Sequence, residues 1–229
     1  RLWKGLGEAP VIYDQGQVER SKSSIESKLN NMGYFDSKVE SELHLKGQNA
    51  QVTYYITLGA RYQIDTIIYR LPGRRKDFAE DFYADIPKSL IKAGDYLSEQ
   101  NLTAEVDRSM ASLREKGYFA LNRTCYNFVA DTLARNGKVA LEYVISEDEQ
   151  PLKKVKISNV RITYPQNLNV RESVLEGVNL IEPGQPYKES TVSDTYSRFS
   201  SLKIFKTVGI DMTQTSENGV DCDITLTKS

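Results

Sequence analysis

Residues 29–39 read LNNMGYFDSKV and residues 113–123 read LREKGYFALNR, so one chain closes two apolar stretches with Gly-Tyr-Phe. The two glycines, Gly33 and Gly117, stand 84 residues apart, the length of a small domain and not of a solenoid repeat. Before each lies an apolar stripe at helical spacing: Ile25, Leu29 and Met32 in the first copy, Leu102, Val106, Met110 and Leu113 in the second. Glycine therefore falls where a helix takes a left-handed C-terminal cap. After each cap the period changes to two, as in Val39, Ser41, Leu43 and Leu45, which predicts a strand.

A hairpin follows in both copies. KGQNAQVTYYITLG carries a glycine-containing turn and the alternating set Val52, Tyr54, Ile56 and Leu58; ARNGKVALEYVIS carries Asn136-Gly137 before Val139, Leu141, Tyr143 and Ile145. A third, weaker copy has the stripe Val192, Tyr196, Phe199 and Leu202, then Lys203-Ile204-Phe205 in place of Gly-Tyr-Phe, then the Asn-Gly hairpin of ENGVDCDITLT. Two further runs, YQIDTIIYRL (62–71) and VKISNVRITY (155–164), align Ile64 with Ile157 and Ile67 with Val160, both 93 residues apart, and read as first strands. Between first strand and striped helix lie DFAEDFYADIPKSLIKAG and NVRESVLEGVNL, with Asn169 as a candidate N-cap. The predicted class is α+β, built of tandem strand-helix-helix-strand-strand units. The first copy shows no first strand, only RLWKGLGEAPVI, so the expected division is a partial unit over 1–60 and full units over 61–149 and 150–229, in a chain that is a fragment. Of the linkers, GARY is short, whereas SEDEQPLKK is long, charged and interrupted by Pro151, and the hinge is expected there.

Composition narrows the function. Thirty Lys plus Arg against 31 Asp plus Glu leave no basic excess for nucleic acid or an anionic membrane, and no run approaches the ~18 apolar residues of a spanning helix. The single histidine, His44, shares a polar strand face with Lys38, Glu40 and Glu42, so a metal site is not expected. Of two cysteines, Cys222 shares an apolar register with Val220, Ile224 and Leu226 and reads as core, while Cys125 reads as partly exposed; a disulfide between them would need two units to touch there. Gly5-Leu6-Gly7 lacks the rest of a dinucleotide fingerprint, and no phosphate loop is present. The acidic groups Asp77, Glu80, Asp81, Asp85 and Glu147, Asp148, Glu149 read as solvated charge on a helix face and in a linker. No enzyme activity, cofactor or catalytic residue is expected.

These tandem units, with Gly-Tyr-Phe closing the second helix and I-x-x-I in the first strand, resemble POTRA domains of the BamA/TamA outer-membrane assembly superfamily, most of all the TamL-type proteins of Bacteroidetes, on the opening GEAPVIYD and NNMGYF. The third unit departs from the pattern in lacking Gly-Tyr. The resemblance implies a three-stranded mixed sheet per unit, covered by two helices, with the second strand at an exposed edge. It implies a periplasmic scaffold, tethered to the outer membrane through a C-terminal β-barrel, that binds unfolded outer-membrane protein clients and accessory assembly proteins by β-augmentation. The candidate edges are DSKVESELHLK, LNRTCYNFVADT and KTVGIDMTQT, and the candidate partner-binding residues are Thr124, Tyr126, Phe128, Val208 and Ile210. Another periplasmic or surface interaction module, of two-partner secretion or division-protein type, is the alternative.

Overall fold

The computed structural model describes residues 13–131, 137–148, 150–165 and 170–228. Helix α1 (Gln15–Asn31) precedes the hairpin β1 (Lys38–Lys46) and β2 (Asn49–Thr57). The second unit comprises β3 (Gln63–Arg70), α2 (Lys76–Asp85), α3 (Glu99–Glu115), β4 (Tyr126–Ala130) and β5 (Lys138–Ile145). The third comprises β6 (Lys156–Thr163), α4 (Glu172–Val178), α5 (Glu189–Ser201), β7 (Phe205–Ser216) and β8 (Gly219–Lys228). Sheet orders are β3-β5-β4 and β6-β8-β7, with the first strand parallel to the central one and the other edge antiparallel. Among the described residues β1 and β2 pair only with each other.

Both expected glycine caps form. Gly33 and Gly117 have φ of 89° and 108°, and the following tyrosines donate back into the helix, Tyr34 to Leu29 and Tyr118 to Leu113. In the third unit Lys203 takes the same left-handed turn, at φ 56°, without glycine's freedom. α5 is one turn shorter than α3, 13 residues against 17. Some expected apolar positions meet solvent: Met32 closes α1 at 43 % exposure and Tyr196 on α5 is at 50 %. Pro87 cuts the predicted long helix after Asp85, leaving a single 3-10 turn, Ile86–Lys88. α4 begins after Arg171, and Asn169 lies outside the described residues, as does Asn136.

A second repeat, spaced by 90 residues, holds the helices to the sheet edge. Ile64 donates to Asp95 and accepts from Gly94; Ile157 donates to Gln185 and accepts from Gly184. Ser89 and Asn179 each tie their loop through the residue two ahead, and the amides of Leu90 and Leu180 reach Glu105 and Thr195. The same main-chain skeleton therefore encloses different interiors. In the second unit Asp85 and Glu105, both buried, share Arg108; in the third the matching positions are Leu175 and Thr195. Asp85 is thus buried hardware, not the solvated helix charge expected of it. Burial works to raise its pKa, but hydrogen bonds from Arg108 and Ser112 win and hold it below the ordinary carboxylate range.

The three caps are separable by mutation. Gly117→Ala should cost about 1–2 kcal/mol, because a Cβ is disfavoured at that φ. Gly33→Ala should cost more, since its Cβ would also overlap the Leu97 carbonyl oxygen. Lys203→Gly should stabilise by about 0.5–1 kcal/mol. Urea unfolding of the three variants checks the order; a neutral Gly33→Ala would refute it.

Candidate partner-binding edges and the joints that position them

The direction of each edge strand's main chain follows from the ladder. Ser146 donates to Cys125, so the Cys125 carbonyl and the peptide groups of Asn127 and Val129 point at β5, while Tyr126, Phe128 and Ala130 point theirs outward. Lys156 donates to Asn218, which by alternation turns Thr207, Gly209, Asp211 and Thr213 toward β8 and leaves Val208, Ile210 and Met212 with outward peptide groups. The side chains of Val208, Ile210 and Met212 pack on the third core.

The five candidate residues fall in different settings. Thr124 is not in a strand: it sits in the 3-10 turn Arg123–Cys125, with its amide and hydroxyl bonded to Asn122 and its hydroxyl also to Asp148. The sequence signal for this was Asn two residues before Thr, an Asx turn. Tyr126 is buried, its hydroxyl donating to Ser109 and its amide to Arg123. Phe128 packs its ring 4.7 Å from Tyr143 and keeps an outward amide. Cys125, expected to be partly exposed, is 1 % exposed because the same turn folds it under the sheet. β4 thus offers two outward residues, Phe128 and Ala130. β7 is the longer edge, 12 residues or about 40 Å at ~3.4 Å per residue. In the first hairpin His44, Lys38, Glu40 and Glu42 share the outer polar face, and His44 lies 3.4 Å from Glu42.

What fixes these edges relative to one another is the segment after each glycine cap. Phe35 leaves its own helix and packs on the second core, 5.8 Å from the Tyr62 ring; Phe119 packs on the third core, edge to face with Tyr187 at 5.1 Å. The tyrosine beside each is covered by a linker cation, Tyr34 by Arg61 at 4.8 Å and Tyr118 by Lys154 at 5.6 Å, and those cations are themselves 93 residues apart. Gly59 packs so closely on the Phe35 carbonyl that no side chain fits there.

The long second linker, where a hinge was expected, is tied down instead. Leu152 is wholly buried in the second core, Glu147 pairs with Arg75 and accepts from the Leu152 amide, Lys153 pairs with Glu217, and Lys154 pairs with Asp81 at 2.7 Å. Arg114 then bridges the units: it donates to Glu189 at 2.6 Å, to the Tyr187 hydroxyl, and to the carbonyls of Phe119 and Leu121. Glu115 accepts from the amide and hydroxyl of Ser190 at the start of α5. The charges of the linker misled because their partners lie 64 and 72 residues away in sequence, as for Lys153 and Glu147.

No group of His, Cys, Asp or Glu among the described residues could hold a metal ion. Burial pushes the Cys222 thiol up to about 11, so it is a protonated core group.

Residues 7–59 match a family model described as POTRA, surface antigen variable number repeat. No curated protein matches the sequence. Among solved structures, the chain is similar to Haemophilus influenzae BamA POTRA3-5, at 18% identity over 96% of this chain and 83% of that one, with a TM-score of 0.57. It is also similar to BamA from Haemophilus ducreyi lacking POTRA domains 1-3, at 16% identity over 73% of this chain and 30% of that one, with a TM-score of 0.54. The fold is that of POTRA repeats, a mixed α+β array.

The joint carries a pH signature. Burial works to raise the pKa values of Asp81 and Glu147, but hydrogen bonds from Lys154, Tyr118 and Lys116 to Asp81, and from Arg75 and the Leu152 amide to Glu147, hold both below the ordinary carboxylate range. A depressed folded-state pKa stabilises above the unfolded value and is lost as pH falls through the folded one. Stability at this joint should therefore be constant near neutrality and fall only below about pH 4. Asp81→Asn should lower the urea midpoint at pH 7 and shrink its acid-dependent fall; an acid limb identical to wild type would count against the assignment.

Proposed function

We propose that this chain is a periplasmic scaffold of an outer-membrane protein assembly or translocation machine, which binds extended client or partner segments by strand addition and presents them to a C-terminal β-barrel. The observation that carries the reading is the edge of β7, where Val208, Ile210 and Met212 turn outward peptide groups that pair with no strand among the described residues, beside a half-buried apolar face. Strand addition uses main-chain bonds and so tolerates many client sequences. Phe128 and Ala130 on β4 supply a second, shorter edge. The fold similarity to BamA POTRA domains supports an outer-membrane context. No helix among the described residues is long and apolar enough to cross a membrane, and that says nothing of a barrel. On this reading residues 1–60 belong to a partial unit, 61–149 and 150–229 to complete ones, the last next to the barrel, in a protein of the TamL type with a scaffolding and not an enzymatic role.

The edge is tested where the peptide N–H faces out. Proline at Val208 or Phe128 removes one outward donor and leaves the inner ladder in place. With circular dichroism unchanged, client crosslinking from a photoreactive residue at Thr207 or Val129 in the full-length protein should fall several-fold. Wild-type crosslinking and barrel assembly by both folded variants would remove these edges from the mechanism.

A further inference from the structure

The second and third units also differ where the repeat equates three aromatic positions with other residues. In the second unit Tyr69, Phe82 and Tyr143 pack as an aromatic plug between β3, α2 and β5, with Phe82 5.5 Å from each of the other two rings. The strand registers equate Tyr69 with Ile162 and Tyr143 with Ile224, and the 90-residue repeat that equates Gly94 with Gly184 equates Phe82 with Glu172. Three rings are thus replaced by Ile, Glu and Ile. In their place the third unit has a cleft of about 410 Å³ between β6 and α4, floored by Val160, Ile162, Leu175 and Ile181.

The cleft adjoins a sheet edge that no strand among the described residues covers. By ladder alternation Asn159, Arg161 and Thr163 turn their peptide groups to β8, and Val160, Ile162 and Tyr164 turn theirs outward, with side chains lining the cleft. The start of this edge is closed where Ile157 bonds Gln185 and Gly184. Glu172, Glu176 and Glu182 line the same cleft, and none of the three has a cationic partner among the described residues.

We propose that the β6 edge is a second peptide site, distinct from β4 and β7, which takes an extended segment carrying one large apolar side chain with basic residues two places to either side. A strand added to β6 would place alternate side chains on the helix side. The central apolar group then refills the space that Phe82 fills in the second unit, and the flanking cations meet the glutamates at the rim. The site does not depend on the outer-membrane reading.

The probe is the synthetic peptide acetyl-Lys-Thr-Phe-Thr-Lys-Thr-amide, titrated into the 229-residue chain and followed by amide NMR shifts. Saturable shifts at Val160, Ile162 and Tyr164 are expected. Glu172→Phe, which restores the plug, and the double change Glu176→Lys with Glu182→Lys alter exposed positions; each should weaken binding at least tenfold, and a peptide with Glu in place of Lys should not bind. The proposal is overturned by no saturation at millimolar peptide, by undiminished binding to folded Glu172→Phe, or by shifts at Val208 and Ile210 instead, the last of which would assign the peptide to β7.

Discussion

A left-handed turn at the end of one helix decides how the units of this array meet. At Gly33 and Gly117 the chain reverses in a backbone conformation that residues with a Cβ avoid, and the reversal sends the next tyrosine back to its own unit and the following phenylalanine forward to the next. Because Phe119 and Leu152 cross in opposite directions, each into the other unit's core, hydrophobic burial itself fixes the mutual orientation. The Arg114 and Asp81 networks add directional bonds at the rim.

The second and third units show how far one main-chain frame can be refilled. Where the second buries Asp85 and Glu105 against a half-buried Arg108, the third uses Leu175 and Thr195 for the same loop. A buried ion pair is no more stabilising than a well-packed apolar replacement, but it is costly to break, so the pairing constrains the second unit more than it strengthens it. The aromatic plug around Phe82 and the cleft beside Glu172 are the same variation carried to the surface. The joint is held from both sides, and the edge strands on either side of it, β4 and β7, are of unequal length.

Much of the frame was legible in the sequence because its signals are local. Glycine after a 3.6-residue stripe, alternation after a turn, and the paired Ile64 and Ile157 are all properties of short windows, and the sheets formed on them. The edge residues were legible only in part: Val208 and Ile210 fall on β7, but the Asn122 turn removes Thr124 from β4. What local reading missed depends on distant partners. The linker 146–154 has the composition of a loose segment, yet Arg75, Asp81 and Glu217 pin it. Lys203 has no glycine to announce its turn, and the paired loops at Gly94 and Gly184, both G-x-x before an apolar residue and a helix, were an available signal that period-based reading passes over.

The orientation set through Phe119 is measured most directly as a distance. Spin labels at Thr66 on β3 and Thr225 on β8, both exposed, report across the second joint, and the native Cys125 and Cys222 are buried out of a label's reach. Pulsed electron resonance on the labelled chain should give one narrow distance distribution at neutral pH, broadened several-fold by Phe119→Ala. A broad distribution in the unsubstituted protein, or one that stays narrow when Phe119 is cut back to alanine, would contradict an array whose units are locked by the aromatic that each glycine turn hands forward.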